Sequence, residues 1–514
     1  MSRLVRLLQS VALDSPRHLA RTAQAKGPGV FSCSPEERAR FLATHEVNPD
    51  SGMVVLGSIA KSDGEPAWTG LSSRELVSMH GVCSGATGAG KTMWLLNCLM
   101  QVARDNLSMI VIDPKAETVV RFTEEFLPAM VSRGALPEGI VDRLRVIRPF
   151  AKSVVTPLNI TFPESGVEVA VQAMSVLQAI EQGLGERFGG RMQRMALNAV
   201  KLAIETHQPL TSVRNWLANP AAFARQSQRS GDSELREYAR TSLEREHDAS
   251  VQATLARLDS FVFLPQTRAA LEAPTCVSFS EALESGLTLI NLGDAPAGLE
   301  GLIRFWGAVL FGKVQRAILS RDVTPETTPC WLVIDEAPVI MGPEQAAGFE
   351  RLLSLARYRK VGLLLVTQFG GQLSAVDRVL TESLATNVRY EVRFRTGYDE
   401  ARRVSGALLP GNSRFSRDEI ARALTTLPDR HFLFRLRQGG FSAQLLRSPR
   451  LDIDDLRSAA AGLSPALRQR IVNGSVAIPA REFASVAPDA RAEILALPPL
   501  EATRPTNSRF PRLG

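Results

Sequence analysis

The run Gly85-Ala86-Thr87-Gly88-Ala89-Gly90-Lys91-Thr92 keeps the spacing Gly, four residues, Gly, Lys, Ser/Thr that holds the phosphates of a nucleotide. Its glycines let backbone N–H groups wrap an anion. The helix predicted to open with Met93-Trp94-Leu95-Leu96 aims its positive dipole end at the same point. Lys91 has the reach to meet the β- and γ-phosphates, and the Thr92 hydroxyl is a hard oxygen suited to Mg²⁺. Gly85 to Thr92 are therefore expected to bind ATP with Mg²⁺.

A second apolar run, Trp331-Leu332-Val333-Ile334, ends in Asp335-Glu336, the Walker B pattern. Asp335 is expected to hold Mg²⁺ through water or Thr92, and Glu336 to orient the attacking water and take its proton. A third run, Val361 to Thr367, ends in Gln368. Ligands of open α/β sheets sit at the carboxyl ends of the strands, so Gln368 is placed to sense the γ-phosphate or the water. Just before that strand, Ala356-Arg357-Tyr358-Arg359-Lys360 offers three cations. Arg359 first, and Arg357 second, has the length and planar charge to reach the γ-phosphate of a neighbouring subunit. Arg389-Tyr390-Glu391-Val392-Arg393-Phe394-Arg395 alternates at period two, so its arginines line either a wet strand face or a nucleic-acid channel. The six histidines form no cluster, which leaves no metal site beyond Mg²⁺.

Those residues need strands to carry them. Val77 to Cys83 is predicted as the strand entering the glycine loop. Leu107 to Asp113 is the next, ending in Asp113-Pro114-Lys115, followed by Leu144 to Ile147. From about residue 162 to 275 the periodicity turns helical, over Val167 to Glu181, Arg191 to Glu205 and Val251 to Leu264. Strands resume at Leu287 to Leu292, Cys330 to Asp335, Val361 to Thr367 and Arg389 to Arg395. A hairpin of His431 to Arg437 and Phe441 to Leu446 turns through Gly439-Gly440. Alternating strands and helices predict an α/β fold with a mostly parallel sheet, interrupted by an all-α insertion.

Composition narrows the class. The chain has 514 residues, an apolar fraction of 45% and a net charge of +7, a basic balance that permits an anionic partner. Its five cysteines are scattered, with neither metal-ligand spacing nor a disulfide framework, which fits a reducing cytoplasm. No apolar run approaches the roughly 18 to 20 residues of a spanning helix, so no integral membrane segment is expected. Arg3 and Arg6 rule out a secretory signal. Leu4, Val5, Leu7, Leu8, Val11 and Ala12 share one helical face, which suits docking on the protein itself, on a partner or on an anionic membrane surface. The end, from Leu497-Pro498-Pro499 to Gly514, reads as disordered.

Taken in order, the glycine loop, Val111-Ile112-Asp113-Pro114-Lys115-Ala116-Glu117, the helical insertion, Asp335-Glu336, the Arg357–Arg359 run and Thr367-Gln368 resemble the type IV secretion coupling proteins. These are conjugative DNA-transfer ATPases of the FtsK/HerA superfamily, and the resemblance spans roughly residues 55 to 450. It implies a RecA-like core in two parts, 76–161 and 276–450. Around them lie an N-terminal region (1–75), the insertion (162–275) and C-terminal helices with a partly disordered tail (451–514). It further implies a homo-hexameric ring that hydrolyses ATP between subunits and moves DNA or nucleoprotein. Lys91 and Thr92 match the family's Walker A, Asp335 and Glu336 its Walker B, Gln368 its sensor and Arg359 its arginine finger. The family's usual transmembrane helices have no counterpart here. The expected location is thus the cytoplasm, or the periphery of the inner membrane by way of a membrane-anchoring or secretion-apparatus partner. The alternatives are a HerA-like DNA translocase in DNA processing or phage defence, and a secretion-assembly ATPase that moves protein.

Overall fold

The structure is a computed structural model that describes residues 35–48, 51–60, 66–241, 249–340, 343–368, 378–408, 416–437, 443–480 and 482–483. The apolar N-terminal helix face, the Gly439-Gly440 turn and the Pro- and Arg-containing tail lie outside them. The chain divides into two compact units, 1–151 with 278–477, and 152–277 with 478–514.

The first unit is built on one sheet. Its strands are β1 (Val54–Ala60), β2 (Pro66–Leu71), β3 (Gly81–Ser84), β4 (Ser108–Asp113) and β5 (Leu144–Ile147). Beyond the second unit's β6 (Val154–Val155) come β7 (Leu287–Asn291), β8 (Cys330–Ile334), β9 (Val361–Thr367), β10 (Tyr390–Phe394), β11 (His431–Leu436) and β12 (Gln444–Arg447). The order across the sheet is β2-β1-β12-β11-β10-β3-β9-β8-β4-β7-β5. From β10 to β5 every neighbouring pair is parallel, and from β10 back to β2 every pair is antiparallel. The parallel strands are covered on both faces, which is why β4, β7, β8 and β9 are buried at every position and read as continuous apolar runs.

Two elements differ from the expected ones. Val77 and Ser78 belong to a helix, Ser73–Ser78, whose cap Ser72 accepts from the Glu75 N–H (3.2 Å). A Ser-x-x-Glu start outweighs the apolar pair that had suggested a strand. The β1–β2 hairpin has no counterpart in the sequence reading. Its register shifts between Val55 and Gly57, and that bulge breaks the alternation that would mark a strand. At the bulge the Val55 backbone, opposite Gly70 in the ladder, is also held by the helix Lys91–Arg104. Gln101 accepts from its N–H (2.8 Å), and Asn97 donates to its carbonyl (2.9 Å).

His80 locks the centre of the sheet. Its Nδ1 accepts from the Leu363 N–H (3.0 Å) and its Nε2 donates to the Leu353 carbonyl (3.0 Å), a pattern only the neutral ring can make. Burial first, and then Arg357 and Arg389, hold its pKa down at about 4 against the pull of the Leu353 bond. The unfolded chain therefore binds this proton at a higher pH than the folded one. His80 stability is complete above about pH 6.5 and is lost progressively as pH falls towards about 4, amounting to about 3 kcal/mol. Urea unfolding of wild type and His80→Gln between pH 7.5 and 4.5 should show the wild-type curve falling more steeply by this amount. Parallel curves would remove His80 from the acid response.

The second unit holds the helices Val169–Leu184, Gly190–Glu205, Leu210–Ala218, Pro220–Ser227, Ser233–Thr241, Ala249–Val262 and Pro265–Leu271. β6 pairs antiparallel with β13 (Ile478–Pro479), so this unit also takes in chain from beyond the sheet. Among the described residues no helix is long and apolar enough to cross a membrane.

Candidate nucleotide site

The glycine loop leaves β3 and is fastened on both sides. The Gly85 N–H donates to the Gln368 carbonyl (3.2 Å) at the end of β9, and the Ala86 N–H to the Arg395 carbonyl (2.6 Å) at the end of β10. A Cβ on Gly85 would lie 2.5 Å from that of Phe394, so only glycine allows this approach. Gly90 caps the helix Lys91–Arg104 at φ +110°, a left-handed conformation costly for any other residue, and as glycine it makes no side-chain capping bond to the helix start. Its first N–H groups are thereby open to an anion. Lys91 is buried, with Nζ donating to the carbonyls of Gly85 (2.6 Å) and Ala86 (3.0 Å), so its charge lies inside the cradle.

The carboxyl ends of β4, β8 and β9 lie side by side, with Ile112 opposite Ile334 and Ile334 opposite Leu365. Asp113, Asp335 and Glu336 therefore emerge together. Gln368 Nε2 donates to Glu336 Oε1 (3.1 Å). The sequence reading brought these residues to one rim, but the turn after β4 joins them in a way it did not foresee. Thr118 Oγ1 donates to Asp335 Oδ2 (2.7 Å), and Lys115 Nζ donates to Glu336 Oε1 (2.8 Å). Asp113 shapes that turn by accepting from the N–H groups of Lys115 and Val119 (both 2.9 Å). The Asp113-Pro114-Lys115 run was visible in the sequence without a role, whereas nothing local marks Thr118.

Burial drives the electrostatics here. It pushes the Asp113 carboxyl up to about 7, helped by the adjacent Asp335 and opposed by the backbone N–H bonds. It also raises Asp335, against the Thr118 hydrogen bond. Two crowded, buried carboxylates call for a cation. Among the described residues no group of three or more His, Cys, Asp or Glu side chains could hold a metal alone. The Asp335 carboxylate is one hard oxygen, and the Thr92 hydroxyl, in the first turn of the helix Lys91–Arg104, offers a second; so few suffice for Mg²⁺ because it keeps waters and takes phosphate oxygens. These two residues would hold it, and the ion would screen the charge of the phosphates.

Arg359 is not part of this cluster. It sits in the turn before β9, a full seven-residue strand, about 20 Å, from Gln368. Its Nη1 donates to the Arg321 carbonyl (2.6 Å), and Arg321 Nη1 donates back to its carbonyl (3.1 Å). Arg357, in the same turn, is exposed.

The strand Arg389 to Arg395 has no continuous wet face either. β10 lies inside the sheet, and Glu391 is buried at 3% exposure. It accepts from Arg393 (2.9 and 2.6 Å) and Arg437 (3.1 and 2.6 Å), with Arg435 at 3.8 Å. Burial alone would raise this carboxyl, but Arg393 and Arg437 outweigh it and hold it at about 2. Arg395 pairs with Asp429 (3.1 Å). These arginines are engaged within the fold.

Neither a protein-family model nor a curated protein matches the chain. Solved structures do. The plasmid coupling protein TrwB with a non-hydrolysable GTP analogue superposes at TM-score 0.53 and 15% identity, over 81% of this chain and 92% of that one. TrwB with ADP and Mg²⁺ gives the same values. VirB4 of Thermoanaerobacter pseudethanolicus superposes at TM-score 0.53 and 13% identity, over 82% of this chain and 99% of that one. At such identities the likeness is one of fold. The sheet and its helices form a RecA-like P-loop core of the kind found in TrwB and VirB4.

Proposed function

We propose that the chain is an ATP-hydrolysing motor that translocates DNA or nucleoprotein in a conjugative or type IV secretion-like process. The observation that carries the reading is the convergence of Lys91, Asp335, Glu336 and Gln368 on the carboxyl rim of the parallel strands. A cradle for phosphates, an oxygen set for Mg²⁺ and a carboxylate in contact with a sensing amide are the parts that phosphoryl transfer to water requires. Glu336 takes the proton of the attacking water, Gln368 orients Glu336, and Lys91 offsets charge on the β- and γ-phosphates. The overall likeness to the conjugative coupling protein TrwB supports the transfer role.

In this reading the protein works as a ring, usually of six subunits, because an arginine held away from its own P-loop can serve a neighbour's. Arg359 and Arg357 both meet that condition. Arg359 is tied to Arg321, so the exposed Arg357 is the better placed of the two to cross an interface. A basic net charge of +7 favours a polyanion. Since Arg393, Arg395 and Arg437 are paired internally, contact with DNA falls to other cations. Partners at the membrane or in a secretion apparatus belong to the same proposal.

DNA should stimulate ATP turnover in the purified protein, and binding should be non-specific and fall steeply with salt, since each phosphate contact adds roughly one unit to the log–log slope. Turnover indifferent to DNA, with no binding at low salt, would favour the motor that moves protein instead.

A further inference from the structure

Glu336 carries two donors on one oxygen. Lys115 Nζ lies 2.8 Å from Oε1, and Gln368 Nε2 lies 3.1 Å from the same atom. A base that must accept a proton from water is thus already holding a full positive charge. The backbone on both sides of this pair is unusual. Glu336 has φ +47° and Ala116 has φ +67°, left-handed values that a residue with a side chain adopts only when its surroundings impose them.

The surroundings do so here. Gly293, just past β7, lets the Lys115–Ala116 backbone come so close that a Cβ on it would lie 2.2 Å from the Lys115 carbonyl carbon. From the other side the Asp113 carboxylate accepts from the Lys115 and Val119 N–H groups, and Thr118 binds Asp335. The turn 113–118 is therefore clamped at three points. The Lys115 side chain is the part left to move, with 45% of its surface exposed, whereas Glu336 is only 11% exposed.

We infer that Lys115 is a latch on Glu336. It pairs with the carboxylate when no triphosphate is bound and is drawn off by the γ-phosphate, so that the base is released only when there is something to hydrolyse. Lys115 is a positioning residue in this scheme, since it acts through Glu336. The inference rests on the nucleotide-site reading above. The physical ground is competition. A flexible ammonium at the carboxyl ends of β4 and β8 is paired with the Glu336 carboxylate, and a γ-phosphate carries more charge and more acceptor oxygens. The diphosphate lacks that group and has nothing to offer Lys115 in exchange.

Affinity discloses such a device without any turnover. In wild type, the preference for a non-hydrolysable ATP analogue over ADP is reduced by the cost of breaking the Lys115–Glu336 pair. Glu336→Gln removes the carboxylate charge and should widen that preference by about two- to fivefold, the range expected for a partly exposed ion pair. Lys115→Met should narrow it, because the γ-phosphate loses a partner. The double variant should match Lys115→Met alone, which is the signature of coupling between the two sites. Lys115→Arg should restore most of the wild-type ratio. ADP affinity, read in the same titrations by calorimetry, reports whether each variant has kept its site. A Glu336→Gln ratio equal to wild type, with ADP binding intact, overturns the latch alone. So does a double variant that still shows the wider preference. Wild-type protein that binds neither nucleotide overturns the site reading and the latch with it.

Discussion

Lys91→Ala is expected to lower ATP turnover by at least about a hundredfold while the protein stays folded, because a preorganised cation facing developing charge is worth several kcal/mol in the transition state. The lysine sits inside the cradle, 2.6 and 3.0 Å from the Gly85 and Ala86 carbonyls, so it is positioned before any phosphate arrives. The fold should tolerate its loss. The helix it opens is anchored by Trp94, Leu95, Leu96, Cys98 and Leu99, all fully buried, and by the Gln101 and Asn97 bonds to Val55. Steady-state phosphate release on purified protein, beside a thermal melt, is the measurement. A melt near that of wild type with turnover within tenfold of it would overturn the assignment of the loop.

Glu336→Gln should keep nucleotide binding and lose hydrolysis, by about 10² to 10⁴, the usual contribution of a positioned general base. The amide preserves the shape of the carboxylate and can still accept from Gln368, but it cannot take a proton from water. Bound ATP should then persist. If the nucleotide sits between subunits, mass action will favour the assembled ring, and size-exclusion chromatography with ATP should show a larger species than without it. A variant that hydrolyses at the wild-type rate would assign the proton to another group. Trapped nucleotide without any change in size would count against the ring and leave the base in place.

Much of the parallel sheet was legible because its signals are local. β5 and β9 begin and end where the apolar runs do, at Leu144–Ile147 and Val361–Thr367. Buried parallel strands must be apolar throughout, and the polar residue that ends each run marks the rim where a ligand can sit. The glycine loop, the Asp335-Glu336 pair and Gln368 were readable on the same ground. Each stands at fixed spacing from the end of its own strand, so its place follows once the strands are parallel.

What joins those residues was not legible, because the partners are far apart along the chain. Lys115 meets Glu336 across 221 positions, and Thr118 meets Asp335 across 217. Only the adjacency of β4 and β8 brings them together. The same holds for Glu391. Period-two alternation identified its strand, yet a pattern within one strand cannot tell an edge from the middle of a sheet. β11, a neighbour about forty residues later, supplies Arg435 and leads into Arg437. With Arg393 they turn an expected wet face into a buried ion cluster. Arg359 has the charge and reach of a finger, and spacing along the chain does not disclose that its Nη1 donates to the Arg321 carbonyl. Residue type and spacing along the chain were enough to say that Asp335, Glu336 and Gln368 stand at the carboxyl rim of the sheet. Which of them are held, paired or left exposed was decided by strand order, since a charge in a folded protein answers to its neighbours in space.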